Sequence, residues 1–267
     1  MKEQFRLCQV SECVSCGACC GLYNVPDAGE RALARILSER TEEFSRVPRT
    51  WDDVSNFGAR VTAREPGGGP FPEFHHCPYL GLVGGGRRVG CLLHPAADGN
   101  RGLDFRSVSH YGGMACMMYF CPTHRELAPD CLRIVGAAAG GWHLLGLVAP
   151  ETRMLGHVFR QLEARLQRVP DTRDILRPGF AGAVRDLLEL RRTRPFAPAG
   201  DNRLASYIFN DQPPQKPGVD YEALGTAPSP HDAVHSAIGS RFVDAGALYR
   251  ADAVIDDLLD RIASLAH

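Results

Sequence analysis

The chain has 267 residues, 44% apolar and 23% charged, with 30 Lys+Arg against 31 Asp+Glu. That length suits one large domain or two small ones, and the apolar content supplies a sizeable core, which excludes wholesale disorder. A formal charge of −1 gives no global electrostatic drive toward nucleic acid or an anionic membrane, so neither is an expected partner.

The first residues, Met1-Lys2-Glu3-Gln4-Phe5-Arg6, meet charge before any apolar run, unlike a secretory leader. Residues 1–24 read as a cysteine-dense arm. Asp27 and Glu30 resemble a capping box, and Leu33, Ile36 and Leu37 repeat at helical spacing, so a helix is expected over 28–40. Residues 64–72 are loop by composition. Two short apolar runs flank Gly84-Gly85-Gly86 and predict a β-hairpin turning near Gly84. That turn sets Cys77 opposite Cys91, close enough for one metal ion to bridge them. The competing reading is an ordinary hairpin with buried thiols.

Residues 95–112 read as a polar loop. Cys116 and Cys121 then bracket Met-Met-Tyr-Phe. Residues 131–139 suggest a short helix, and 142–148 a strand or buried segment. The longest apolar stretch, Ile134 to Leu147, is broken by glycines and His143, so no transmembrane helix is expected and a cytoplasmic location is.

From Pro150 the character changes. Pro150 suits a first helical position, with Glu151 beside it. Met154, Leu155, Val158, Phe159, Leu162 and Leu166 form one apolar stripe, and Phe180, Val184, Leu187 and Leu188 another. The tail from Leu248 to Leu265 is a strongly amphipathic helix, and all three stripes read as core packing. Residues 195–230 hold seven prolines and read as an irregular connection. The expected fold class is α+β and mainly helical. An irregular cysteine-rich metal-binding region with a short β-hairpin (1–149) precedes a helical region (150–267).

The ten cysteines carry the functional signal, because all fall before residue 132. In a reducing compartment, such clustering marks metal ligands or catalytic thiols rather than a disulfide framework. Cys13, Cys16 and Cys19 repeat the C-x₂-C-x₂-C ligand run of bacterial ferredoxins. Gly17 within it permits positive φ and lets backbone N–H groups approach sulfur. The ferredoxin run closes on a Cys-Pro pair; here Cys77-Pro78 and Cys121-Pro122 could complete it from a distance. Adjacent side chains diverge, so Cys19 and Cys20 are expected to serve different metal atoms, in two nearby centres or one polynuclear cluster. The alternative is a buried, non-ligating Cys20.

The candidate ligands are Cys13, Cys16, Cys19, Cys20, Cys77, Cys91, Cys116 and Cys121, with Cys8, Cys131 and His94 left open. His75, His76, His110 and His124 read as loop or surface histidines. The radical-SAM spacing is absent, as are G-x-S-x-G, H-E-x-x-H and Walker A motifs. A thiolate-rich set favours an iron–sulfur cluster of the 4Fe–4S type, and zinc is the alternative because Cys₄ and Cys₃His knuckles share this spacing.

These residues resemble the CxxCxxCC zinc- or iron-chelating family, the YkgJ-type cysteine-cluster proteins. The resemblance rests on Cys13-x-x-Cys16-Gly17-x-Cys19-Cys20, on Cys77-Pro78-x-Leu80, on Cys91 with its following apolar pair, and on Cys116 with its aromatic neighbours. It covers roughly residues 8–135. His94-Pro95 and a longer loop stand where family members often carry an Arg-Pro pair. The resemblance implies a bound iron–sulfur cluster or zinc, and one branch of the family, the flagellin lysine N-methylases, implies SAM-dependent methyl transfer. The leading expectation is an iron–sulfur protein with a redox or electron-transfer role and a redox or protein partner. The alternatives are an Fe–S-containing, lysine N-methylase-like enzyme and a zinc-stapled protein-interaction module.

Overall fold

Helix caps and apolar spacing set the first elements of the computed structural model, which describes residues 5–65, 69–201, 203–206 and 218–266. Helix α1 (Glu30–Ser45) buries Leu33, Leu37, Arg40 and Phe44 at three- and four-residue steps. Its cap is Gly29, whose amide donates to Asp27 Oδ1 at 3.0 Å. Asp27 thus stands two residues outside the helix, which corrects the capping-box expectation, and the helix continues past residue 40 to Ser45. Thr50 caps α2 (Trp51–Arg64) by accepting the Asp53 amide at 3.2 Å. Phe57 of α2 meets Phe44 of α1 edge to face at 5.0 Å.

The hairpin forms as expected, in a different register. Strand β1 (Leu80–Val83) pairs antiparallel with β2 (Arg88–Cys91), Leu80 facing Cys91 and Val83 facing Arg88. The turn is the four residues 84–87, with Gly84, Gly85 and Gly86 all at positive φ. Cys91 therefore lies opposite Leu80, and Cys77 precedes the ladder.

Next come α3 (Gly112–Met118), α4 (Thr123–Glu126), α5 (Pro129–Ala139) and α6 (Trp142–Val148). Residues 142–148 are helical rather than a strand, and every one of them is buried. A short segment buried all round has no amphipathic period, so spacing could not separate the two states. Tyr23 donates to the His143 carbonyl at 2.8 Å, and a Cβ at Gly146 would sit 2.2 Å from the Tyr23 hydroxyl. The absence of a side chain at Gly146 permits that contact.

Helices α7 (Thr152–Leu166), α8 (Phe180–Thr193), α9 (Asp232–Ile238) and α10 (Ala245–Leu265) follow. The first of these starts two residues after Pro150. Asp244 caps α10, accepting the Ala247 amide at 2.7 Å. The proline-rich connection over 195–230 lies partly outside the described residues; positions 218–231 are turns and coil. The fold class is α+β and mainly helical, with one two-stranded sheet among the described residues. No helix among those residues is long and apolar enough to cross a membrane.

Two hydrophobic cores form. Leu7 and Val14 of the arm join α5, α7, α8, α9 and α10 in one. Ala18, Leu22 and Tyr23 join α1, α2, the hairpin and Phe105 in the other. Cys16 packs against both, so the cysteine arm runs along the seam between them. Full burial of one such leucine contributes about 1.5–3 kcal/mol, enough to fix the path of an irregular segment.

Candidate metal centre

The arm doubles back on itself. Gln9 and Ser15 form an antiparallel bridge, and the Cys16 amide donates to the Cys8 carbonyl at 3.1 Å. Cys8 and Cys16 therefore flank the same bridge, while Cys13 is exposed on the turn, its amide donating to Ser11 Oγ at 3.2 Å. Ser15 Oγ donates to the Val89 carbonyl at 2.7 Å and pins the arm to β2. A 3₁₀ turn, Ala18–Cys20, then carries the doublet. It closes at Gly21, φ 73°, where a Cβ would lie 2.2 Å from the His75 carbonyl oxygen.

The thiols fall into two electrostatic groups, and the doublet, whose side chains hydrogen-bond each other, links them. Cys8, Cys16, Cys19 and Cys121 form the first. Burial, then the neighbouring Cys19 and Cys121, pushes the Cys8 thiol up to about 12, although Cys8 keeps contact with solvent. Burial, then Cys19 and Cys8, pushes Cys16 well up. Cys121 is raised by burial, with Cys19 adding to it. Cys19 alone is lowered, chiefly by its hydrogen bond with the Cys20 side chain.

Cys20, Cys77, Cys91 and Cys116 form the second set. Cys20 is raised by its hydrogen bond with Cys19, then by burial, with Cys77 and Cys91 contributing. Burial pushes Cys77 up to about 12 and Cys91 to about 11, and each also feels Cys116. Cys116 lies on α3, its sulfur 3.0 Å from Ser109 Oγ. Arg106 is a cation beside this set, facing Cys91 and Cys116, as Arg40 is beside Cys77; the ion pair of Arg106 with Asp104 at 2.6 Å holds that carboxyl down at about 2. Arg6 is the counterpart beside Cys8.

Supporting contacts hold both sets. Arg40 is fully buried, paired with Glu65, and donates to the carbonyls of Cys77 at 3.0 Å and Leu80 at 3.4 Å. His76 Nδ1 donates to the Gly21 carbonyl at 2.8 Å, leaving Nε2 to accept from Arg40 at 2.6 Å. The Ala18 amide reaches Cys16 Sγ at 3.5 Å. His124 lies 3.4 Å from Cys121 Sγ.

The residues left open separate cleanly. Cys131 is buried on α5, away from both sets, with Asp130 and Glu163 as its charged neighbours. His94 Nδ1 accepts the Ala96 amide at 3.1 Å. His75 stacks on His110 at 4.0 Å. Among the eight cysteines expected as ligands, all but Cys13 lie in one set or the other, and Cys8 stands where Cys13 was expected. Cys-x-x-Cys spacing alone leaves Cys8 open; the short polar turn around Ser11, which returns the chain to it, is the signal that favours it.

Among the described residues, no three His, Cys, Asp or Glu side chains are arranged to hold a metal ion as they stand. Binding of a cation by either set releases the thiol protons. The donor chemistry fits a thiophilic group: all-sulfur sets of four, mostly buried with Cys8 and Cys116 at the surface, and with N–H groups directed at sulfur. Comparisons with protein-family models, curated proteins and solved structures give no match to this chain.

Proposed function

We propose that the protein binds iron–sulfur clusters at two cysteine centres and passes electrons to a redox partner. The observation that carries this reading is the division of the doublet. Beyond the hydrogen bond the two share, Cys19 influences Cys8, Cys16 and Cys121, while Cys20 feels Cys77 and Cys91, which supports assigning the neighbours to different four-thiol sets. Four cysteines are the ligand complement of a 4Fe–4S cluster. The cluster, when bound, supplies one-electron redox chemistry. The chain supplies thiolates, N–H donors to sulfur and, through Arg6 and Arg106, positive charge against sulfur-rich sites. The resemblance to cysteine-cluster chelating proteins supports the same reading.

The test is metal and sulfide analysis of anaerobically reconstituted protein. Two 4Fe–4S clusters give about eight iron and eight acid-labile sulfide per chain, with visible absorption that bleaches on reduction. Colourless protein that keeps stoichiometric zinc and takes up no sulfide overturns the reading.

A further inference from the structure

His124 carries a hydrogen-bond donor toward the first thiol set. Its Nε2 lies 2.9 Å from the backbone amide of Leu7, a group that can only donate. Nε2 is therefore bare, and the neutral ring holds its proton on Nδ1. That atom lies 3.4 Å from Cys121 Sγ, within reach of an N–H···S bond, and the ring also has the Cys121 backbone as a hydrogen-bond partner. Packing holds the ring as well: Phe120 meets it edge-on at 5.7 Å, and the Arg6 guanidinium lies 4.3 Å from the Phe120 ring centre. The same imidazole thus ties the arm at Leu7, next to Cys8, to the Cys121 sulfur.

We propose that His124 is a positioning residue of the first centre, its Nδ1–H donating to the Cys121 sulfur while Nε2 holds the Leu7 amide. The redox consequence rests on the iron–sulfur reading; the tautomer rests on hydrogen-bond geometry. A donor on a ligating sulfur draws charge from it and favours the reduced cluster, which raises the reduction potential.

Two substitutions separate the ring's two roles. His124→Asn keeps a donor near the Nδ1 position and loses the acceptor for Leu7. His124→Gln places an amide oxygen near the Nε2 position and loses the donor at sulfur. In reconstituted full-length protein, the first-centre signal is the one abolished by Cys8→Ser. At fixed solution potential, His124→Gln lowers the reduced-to-oxidised ratio of that signal about tenfold, and His124→Asn holds it within about twofold of the unsubstituted chain. Equal ratios in all three proteins overturn the proposal. So does ¹⁵N NMR of the metal-free chain if the protonated nitrogen of His124 is Nε2. A chain that takes up no iron overturns the iron–sulfur reading instead, and the NMR measurement, with the ¹⁵N shift of Nδ1 compared between the parent and Cys121→Ala, then decides the hydrogen bond by itself: Nδ1–H with a shift that moves on removal of the sulfur upholds it, and an unmoved shift overturns it.

Discussion

The Cys77 amide donates to the Cys20 carbonyl at 2.9 Å. This one backbone bond brings the segment leading into the hairpin against the cysteine doublet. It places Cys77 beside Cys20 rather than beside Cys19, and so fixes which half of the doublet joins the hairpin thiols.

The doublet therefore has separable halves. Cys19→Ser removes the first centre and leaves the second, while Cys20→Ser does the reverse. Each variant retains about half of the iron and sulfide of the unsubstituted chain, on four thiolates per cluster. Complete loss in both variants, measured by metal analysis, would show one shared cluster.

On the iron–sulfur reading, Cys8, which spacing leaves open, serves the first centre and Cys13 does not. Cys13→Ala, on the exposed turn, leaves metal stoichiometry unchanged. Cys8→Ala, beside Cys16 across the bridge, lowers first-centre affinity by at least about tenfold, since a cluster short of one thiolate is readily lost. A chelator competition assay on both variants checks this.

Arg40 holds the carbonyls of Cys77 and Leu80 and faces Glu65 and His76 from a fully buried position. Arg40→Met keeps the stem and removes the charge, leaving those acceptors unpaired. The expected cost is about 3 kcal/mol of folding stability, read as a lower denaturant midpoint in the metal-free chain. A midpoint unchanged from the parent contradicts this.

Acid weakens the helical half through His157. Burial, then the adjacent His231, holds His157 at about 4, with Arg160 and Arg165 adding to the depression and Asp232 opposing it. The unfolded chain takes up its proton near the ordinary 6.5, so it binds more protons than the folded state below that pH. The stabilisation is complete above pH 6.5 and is lost as pH falls from there toward 4. The full swing is on the order of 3 kcal/mol. Denaturant titrations at pH 7 and pH 4.5 measure it, and His157→Gln, neutral throughout, flattens the difference.

Much of this architecture is legible in the sequence where a local rule decides. The stripes from Met154 to Leu166 and from Leu248 to Leu265 are helices because their apolar periods are unbroken. The helix over Trp51–Arg64 carries the same kind of signal in Thr50, Val54, Phe57 and Val61. Residues 142–148 offer no period, since every side of that helix is buried. The candidate site is legible as a cysteine inventory, whereas the hydrogen bond between the Cys19 and Cys20 side chains runs against the divergence expected of neighbours. The partition of the site is not legible, because it depends on bonds that spacing does not show: the backbone bonds of Cys16 to Cys8 and Cys77 to Cys20, and that of the Leu7 amide to the His124 ring. Cys91 shows the same limit. A four-residue turn moves it opposite Leu80, and no composition rule fixes that offset.

The bond between Leu7 and His124 joins residues 117 positions apart. During synthesis the arm leaves the ribosome long before its partner exists. At 5–20 residues per second, the interval is roughly ten seconds. The seam between the two cores cannot close in that time, and the thiols of the arm stay open to oxidants, chaperones and metal donors alike. Maturation is thereby placed on a clock set by translation, with α4 and the helices after it arriving later than the segment they cover.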